Sequence, residues 1–302
     1  MTLLDGIVLL NKPAGMTSAR LVAKVKSITQ ANKAGHTGTL DPAATGLMIL
    51  CLNRGTRLAQ FFLKGAKAYQ GTLQLGVETD TQDAQGQVTA TAPVPPLDAT
   101  RIRELFKARQ GKMEQLPPVH SALKHQGIPL YKLARRGTPV QKPARQVEIH
   151  ALTLLGFDSP EIRFEVRCSA GTYVRTLCAD IGRELGCGAH LKILTRMESS
   201  GFHLDQALSL EKLAQETQAG HLARMVVPLS RALPHLPALI ADKVLTEKIK
   251  YGRMIRLLDL HPSQIGGEKS PLKIVDANDR LLAVVEWDPA KSQFPYRGVF
   301  VN

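Results

Sequence analysis

The sequence predicts an α+β fold, and three patterns carry that prediction. Glu161–Cys168 alternates strictly, with Ile162, Phe164, Val166 and Cys168 on one side and Glu161, Arg163, Glu165 and Arg167 on the other, the period of a half-buried strand. A second alternation starts at Tyr69 and sets Leu73, Leu75 and Val77 against Gln70, Thr72 and Gln74. Two further stretches repeat apolar residues at helical spacing instead: Leu21, Val22, Val25 and Ile28 in one, Val174, Leu177, Cys178, Ile181 and Leu185 in the other.

The composition narrows the function. The chain has 302 residues, enough for two domains, and 44% of them are hydrophobic, which places it among globular proteins. Lys and Arg number 39 against 26 Asp and Glu, a net charge of +13 that favours a polyanionic partner, nucleic acid before membrane. No apolar run approaches a membrane span, and residues 7–10 are too short for a signal-peptide core. Cys51, Cys168, Cys178 and Cys187 show no CxxC spacing, and no His pair completes a zinc set, so they read as reduced, buried thiols of a cytoplasmic protein. There is no GxxxxGK[ST] loop, and Gly186-Cys187-Gly188 lacks the third glycine of a dinucleotide fingerprint. The expectation is an enzyme or binding protein with no cofactor and no metal.

In chain order, residues 6–10 form a short apolar strand. Residues 11–15 then turn, with Thr17 or Ser18 capping the first helix. Lys12 could touch a reaction centre, a phosphate or only solvent. Residues 35–46, GHTGTLDPAATG, can be neither helix nor regular strand: Pro42 holds Asp41 extended, three glycines permit unusual backbone, and three threonines can tie the loop to itself. His36 and Asp41 are its only large polar side chains, which favours a site over a plain Asx turn. The apolar run 47–52 reads as a buried strand and residues 56–63 as a short helix. Tyr69 begins the next strand on its core side, where the pattern alone favours a satisfied core tyrosine. Asp80 and Asp83 lack the spacing of a calcium loop and read as solvated acids of a polar hairpin.

Residues 99–110 are predicted helical, with Ile102, Leu105 and Phe106 inward. Residues 117–147 carry Lys124, Lys132, Arg135, Arg136, Lys142 and Arg145 without one acid, a segment expected to be mobile alone and to fold onto phosphates. Thr172 is expected to cap the helix that follows it. Arg175 then sits in the first turn, where a cation opposes the helix dipole. Either it is exposed, at a cost of a few tenths of a kcal/mol, or it faces a carboxylate, Asp41 being the obvious candidate. Residues 208–227 read as helical, Pro234 and Pro237 as a linker, and residues from 238 onward as a small β-rich domain, with strands at 254–258, 271–276, 281–287 and 298–301.

GHTGTLDPAATG resembles the catalytic motif of the TruB family of tRNA pseudouridine synthases. NKPAGMTS, KAYQGTLQLG, PPVHSALKHQG, LYKLARRG, RCSAGTYVRTLCADIGRELG and GCGAHLKILTRMESSGF resemble further motifs of that family in the same order. The resemblance implies a mixed, mostly antiparallel sheet with flanking helices, the pseudouridine synthase fold, over residues 1–237. It implies an RNA-contacting insertion at about 117–147 and a PUA-like RNA-binding domain over 238–302. It further implies a structural part for Lys12-Pro13 and isomerisation of the TΨC-loop uridine of tRNA (tRNA position 55), with Asp41 as the essential carboxylate. Arg175 would be its partner and Tyr69 the stacking face for the target base. His36, Tyr173 and Leu194 would contact the flipped nucleotide, and Lys124, Arg135 and Arg136 the RNA backbone. The partner expected is the T arm of tRNA, with no membrane and no guide RNA, met by a monomer. A non-catalytic tRNA-folding protein would share the basic charge but leaves Asp41, Tyr69 and Arg175 unexplained. A hydrolase or phosphotransferase would need a metal site or phosphate loop, and neither is visible.

Overall fold

Gly6–Lys12 and Thr45–Leu52 are apolar at nearly every position because both faces of these paired strands are covered. Val8, Leu10, Met48 and Leu50 face the larger core, while Ile7, Leu9, Leu47, Ile49 and Cys51 face a second one on the opposite side. The computed structural model describes residues 4–260 and 271–301. Among them, the strands form one large sheet in the order Val227–Pro228, Gly6–Lys12, Thr45–Leu52, Ala189–Ser199, Lys67–Leu75, Glu161–Cys168, Arg145–Asp158 and Gly111–Gln115. Every pairing along this path is antiparallel except one: Thr45–Leu52 meets Ala189–Ser199 in parallel, through Thr195↔Thr45 and Arg196↔Gly46. Gly46 makes that junction possible. Its φ is +104°, and a Cβ there would lie 2.4 Å from the Arg196 carbonyl oxygen.

Helices cover the face with the larger core. Ser18–Thr29 is capped by the Thr17 hydroxyl and buries Leu21 and Val25. Ala99–Ala108 buries Ile102, Leu105 and Phe106, and Val174–Glu184 packs beside Ala189–Ser199. The C-terminal residues add a separate four-stranded sheet in the order Ala238–Ile240, Leu272–Val275, Leu281–Val285, Tyr296–Val299. One side of it encloses its own core, including Leu245, Ile249, Ile274 and Phe294. Val275, Leu281, Val284 and Phe300 share the second core of the large sheet. Arg54 and Arg57 donate to the carbonyls of Phe300 and Val299 across that boundary.

Several sequence expectations need correction. The stretch 35–46 is not irregular throughout, since Ala34–His36 pairs with residues 50–52 and Thr45 already belongs to a strand. The strand from Tyr69 stops at Leu75. Gly76, at φ +80°, turns the chain, and Val77 joins a separate hairpin with residues 88–91. Residues 53–63 form a 3₁₀ turn, Asn53–Leu58, before the short helix Ala59–Leu63. Thr172 caps nothing: its hydroxyl donates to Ser169 O, and the helix starts one residue later behind Tyr173. The helical region 208–227 is two helices, Leu210–Gln218 and Leu222–Met225, broken at Gly220 (φ +80°). The linker is packed, with Leu233 and Leu236 buried in the second core. Lys243–Lys250 is a helix that the β-rich reading missed. Asp242 caps it and only Leu245 and Ile249 turn inward, too few for an apolar stripe to show.

Candidate active site

The loop at residues 37–44 leaves one sheet strand and enters another, and it is fastened along its length. Ser18 Oγ donates to Leu40 O and accepts from Leu40 N, both at 2.9 Å. Gly15 N donates to Pro42 O at 2.8 Å, and Ala44 N to Asp41 O at 3.1 Å. Lys12, fully buried, gives its ammonium protons to the carbonyls of Pro13, Met16 and Pro42 at 2.9, 2.7 and 3.1 Å. Burial pushes that ammonium down to about 8, with the Asp41 charge acting the other way. Lys12 thus holds the loop from beneath.

Asp41 is the one acid this loop presents, with a side chain 40% exposed. Arg175 Nε lies 2.9 Å from its Oδ2. Burial nonetheless holds the Asp41 carboxyl above its ordinary range. The Arg175 guanidinium opposes that rise and Asp83 adds to it.

Arg175 is only 4% exposed, so the reading of it as a solvent-facing arginine fails. Nη1 donates to Thr81 O and Nη2 to His120 O, each at 2.8 Å, and Asp83 Oδ2 lies 3.6 Å from Nη1. Asp83, expected to be a solvated hairpin acid, is instead a second carboxylate on the same arginine, its side chain 15% exposed. Its Oδ1 accepts from the Thr81 hydroxyl at 2.7 Å. The turn before the helix is held by Gln115, which accepts from Tyr173 N at 2.7 Å and donates to Tyr173 O at 3.0 Å. That side-chain clamp replaces the missing cap.

A cavity of about 380 Å³ opens beside this pair, walled in part by Asp41, Tyr69, Leu123, Tyr173, Leu194 and Arg196. Tyr69 is 8% exposed, and burial raises its phenol above the usual range. Arg145 covers the Tyr173 ring at 4.7 Å and donates to Gly171 O. Lys67 also lines the cavity and donates to Leu63 O and Gly65 O at 3.2 and 2.6 Å. Burial, helped by Arg196, brings it down to about 8. His36 lies outside the lining. It sits half-buried at the foot of the loop, accepts from Gly38 N at 3.3 Å, and is held below its ordinary pKa by burial and Arg196.

Residues 117–144 arch over the cavity mouth through Ala122 and Leu123. They hold the small hairpin Lys124–His125/Ile128–Pro129 and the helix Leu130–Arg135, and Arg145 already begins a strand. Lys124, Arg135 and Arg136 are exposed on this arch and take no part in the cavity wall. Sequence reasoning missed Lys67, Asp83 and Arg196. For Lys67 and Arg196 a weak signal existed: each is a cation at a buried position of a strand, beside apolar neighbours such as Ala68 and Met197. Among the described residues, no group of His, Cys, Asp and Glu could hold a metal ion.

The profile of the TruB family pseudouridylate synthase (N terminal domain) matches residues 26–174, and that of the tRNA pseudouridylate synthase B C-terminal domain matches residues 175–234. The boundary between them falls inside Val174–Glu184, and the strand Ala189–Ser199 from the second inserts between strands of the first. The chain is 44% identical over 249 residues to tRNA pseudouridine synthase B of Geobacter sulfurreducens, covering 82% of each. It is 43% identical over 293 residues to the protein of that name from Thiobacillus denitrificans, covering 93% of this chain and 97% of the relative. Among solved structures, one of a Cbf5-Nop10-Gar1 complex shares the fold, with a TM-score of 0.77 at 24% identity over 98% of this chain and 85% of that one.

Proposed function

The chain belongs to the TruB family of pseudouridylate synthases and isomerises uridine to pseudouridine in tRNA; we propose that its target is the uridine of the TΨC loop and that Asp41 is its essential carboxylate. The observation that carries this reading is the Asp41–Arg175 pair, 2.9 Å apart at the edge of a cavity of about 380 Å³. The reaction breaks the N1–C1′ bond and joins C5 to C1′ without gaining or losing an atom. It needs one ionised carboxylate beside the sugar–base junction, and Arg175 keeps that charge oriented through Nε while its two Nη groups are tied to the carbonyls of Thr81 and His120.

The reacting carbon is inaccessible while the base is stacked, so the nucleotide must be flipped into the cavity. Tyr69 supplies the stacking face, and Tyr173 and Leu194 the walls. His36 supports the foot of the loop into which the nucleotide moves. Lys124, Arg135 and Arg136 take the phosphates of the T arm, where contacts fix position without reading sequence. In this reading residues 1–237 are the catalytic domain and residues 238–302 a PUA-like RNA-binding domain. In this reading the enzyme also works as a cytoplasmic monomer without a guide RNA; the name of its relatives, tRNA pseudouridine synthase B, supports tRNA as the substrate.

The test is tritium release from a tRNA transcript labelled at uridine C5, with no nucleotide, metal or guide RNA added. Wild type is expected to release one equivalent, mapped to the TΨC loop, and Asp41→Asn none, with tRNA binding retained. Tight binding without release by wild type would instead identify a tRNA-folding protein.

A further inference from the structure

Arg196 stands directly across from Tyr69 in the antiparallel register between Ala189–Ser199 and Lys67–Leu75. Both line the cavity, and Arg196 is 2% exposed. Among the described residues it forms no ion pair; the carboxylate nearest in sequence, Glu198, is taken by Arg167. A buried cation without a counter-ion is costly, so its presence asks for a reason. Its donors give one. Nε donates to Leu47 O at 2.6 Å and Nη2 to Gly38 O at 3.2 Å, and the guanidinium stands beside Tyr69 across the strand pair, where its charge acts on the phenol. One side chain therefore meets three parts of the site: a central strand, the loop that carries Asp41, and Tyr69.

We propose that Arg196 is a positioning residue for the isomerisation, fixing the ring and hydroxyl of Tyr69 relative to the loop that carries Asp41. The proposal rests on the reading that Asp41 and Tyr69 both act on the flipped nucleotide. Guanidinium offers donors only, so a contact with the Tyr69 hydroxyl would have the oxygen accept and would leave the phenol proton for a partner in the cavity. Arg196 also opposes the effect of burial on Tyr69, so its loss leaves the phenol harder to ionise. The parallel junction supports the arrangement, because Gly46 lets the two strands close up at Arg196 itself.

A double-mutant cycle of Arg196→Gln and Tyr69→Phe decides the matter, read by single-turnover rate, tRNA affinity and titration of the ring-labelled Tyr69 carbon by NMR. Arg196→Gln is expected to slow turnover about 100-fold, the scale of a misplaced reacting group. tRNA affinity should stay within a few fold and Tyr69 should titrate higher. The double variant should be no slower than the slower single one. Multiplying losses, or a tRNA affinity that falls with the rate, would overturn the proposal. Full activity in Tyr69→Phe would show that the hydroxyl needs no positioning and would likewise overturn the proposal, leaving the stacking face untouched. Should Arg196→Gln fail to fold, Arg196→Lys keeps the charge but cannot span three partners, and the same cycle is read with it.

Discussion

In and beneath the cleft Lys12, Arg175 and Arg196 are each at most 4% exposed and donate to backbone carbonyls, Arg175 also to the Asp41 carboxylate. On the arch above it Lys124, Arg135 and Arg136 are exposed and pair with no carboxylate among the described residues. The same kind of residue thus does two jobs. A buried cation that holds several carbonyls fixes geometry, since moving it would leave them unpaired. An exposed cation fixes only a potential, and a polyanion is drawn to it without demanding one orientation.

The largest expected effects test the floor. Beyond the loss of turnover in Asp41→Asn, substitutions around Arg175 should separate charge from shape. On the proposed role of Asp41, activity needs its carboxylate ionised and falls as pH drops through the Asp41 pKa. Arg175 lowers that pKa and Asp83 raises it. In Arg175→Met the acid limb of the pH–rate profile should therefore move to higher pH, and in Asp83→Asn to lower pH. Each substitution should cost about 100-fold in turnover through lost orientation. Limbs that move the same way in both variants would show that Asp83 does not act through this carboxylate.

The arch should respond differently. Lys124→Glu, Arg135→Glu and Arg136→Glu together should weaken binding to all tRNAs alike. They should also reduce the slope of log affinity against log salt by about 0.7–0.9 for each phosphate left without its cation. The single-turnover rate at saturating enzyme should barely change. A slope equal to wild type would remove the arch from the interface, and a collapsed rate at saturation would show that it shapes the cavity as well.

How much of this was legible in the sequence divides along the same line. Strict alternation in Glu161–Cys168 predicted that strand to the residue, because one of its faces is wet and the other dry. The helix Val174–Glu184 was legible from its apolar stripe, but the burial of Arg175 and Thr176 was not, since its other side is covered by carbonyls and a glutamine. Asp83 hid for the same reason. A carboxylate in a polar hairpin looks solvated until the fold carries the hairpin against an arginine distant in sequence. Arg196 and Lys67 were visible as cations at strand positions, yet the carbonyls they hold, Leu47 O far along the chain for Arg196 and Gly65 O nearby for Lys67, leave no pattern in the chain. Periodicity reports which way a residue faces, whereas the identity of what it meets there is a tertiary fact.

The smallest effect probes whether Lys12, buried beneath the loop and outside the cavity wall, obeys the same rule. Lys12→Met removes the donor to Pro13, Met16 and Pro42, and unpaired carbonyls should destabilise the fold by about 2 kcal/mol. The sign of the pH dependence is opposite to that of an ordinary ion pair. The Lys12 ammonium titrates at about 8 in the fold against 10.5 for a solvated lysine, so across that window the unfolded chain binds more protons and wild-type stability gains as pH rises. Lys67 contributes a gain of the same sign, and the buried thiols one of opposite sign, but both are common to the two proteins. The stability difference between wild type and Lys12→Met, read from urea midpoints, should therefore widen from pH 8 upward. A difference that stays flat across the window would mean that the carbonyls hold Lys12 charged without penalty, and that the floor is electrostatically no different from the arch.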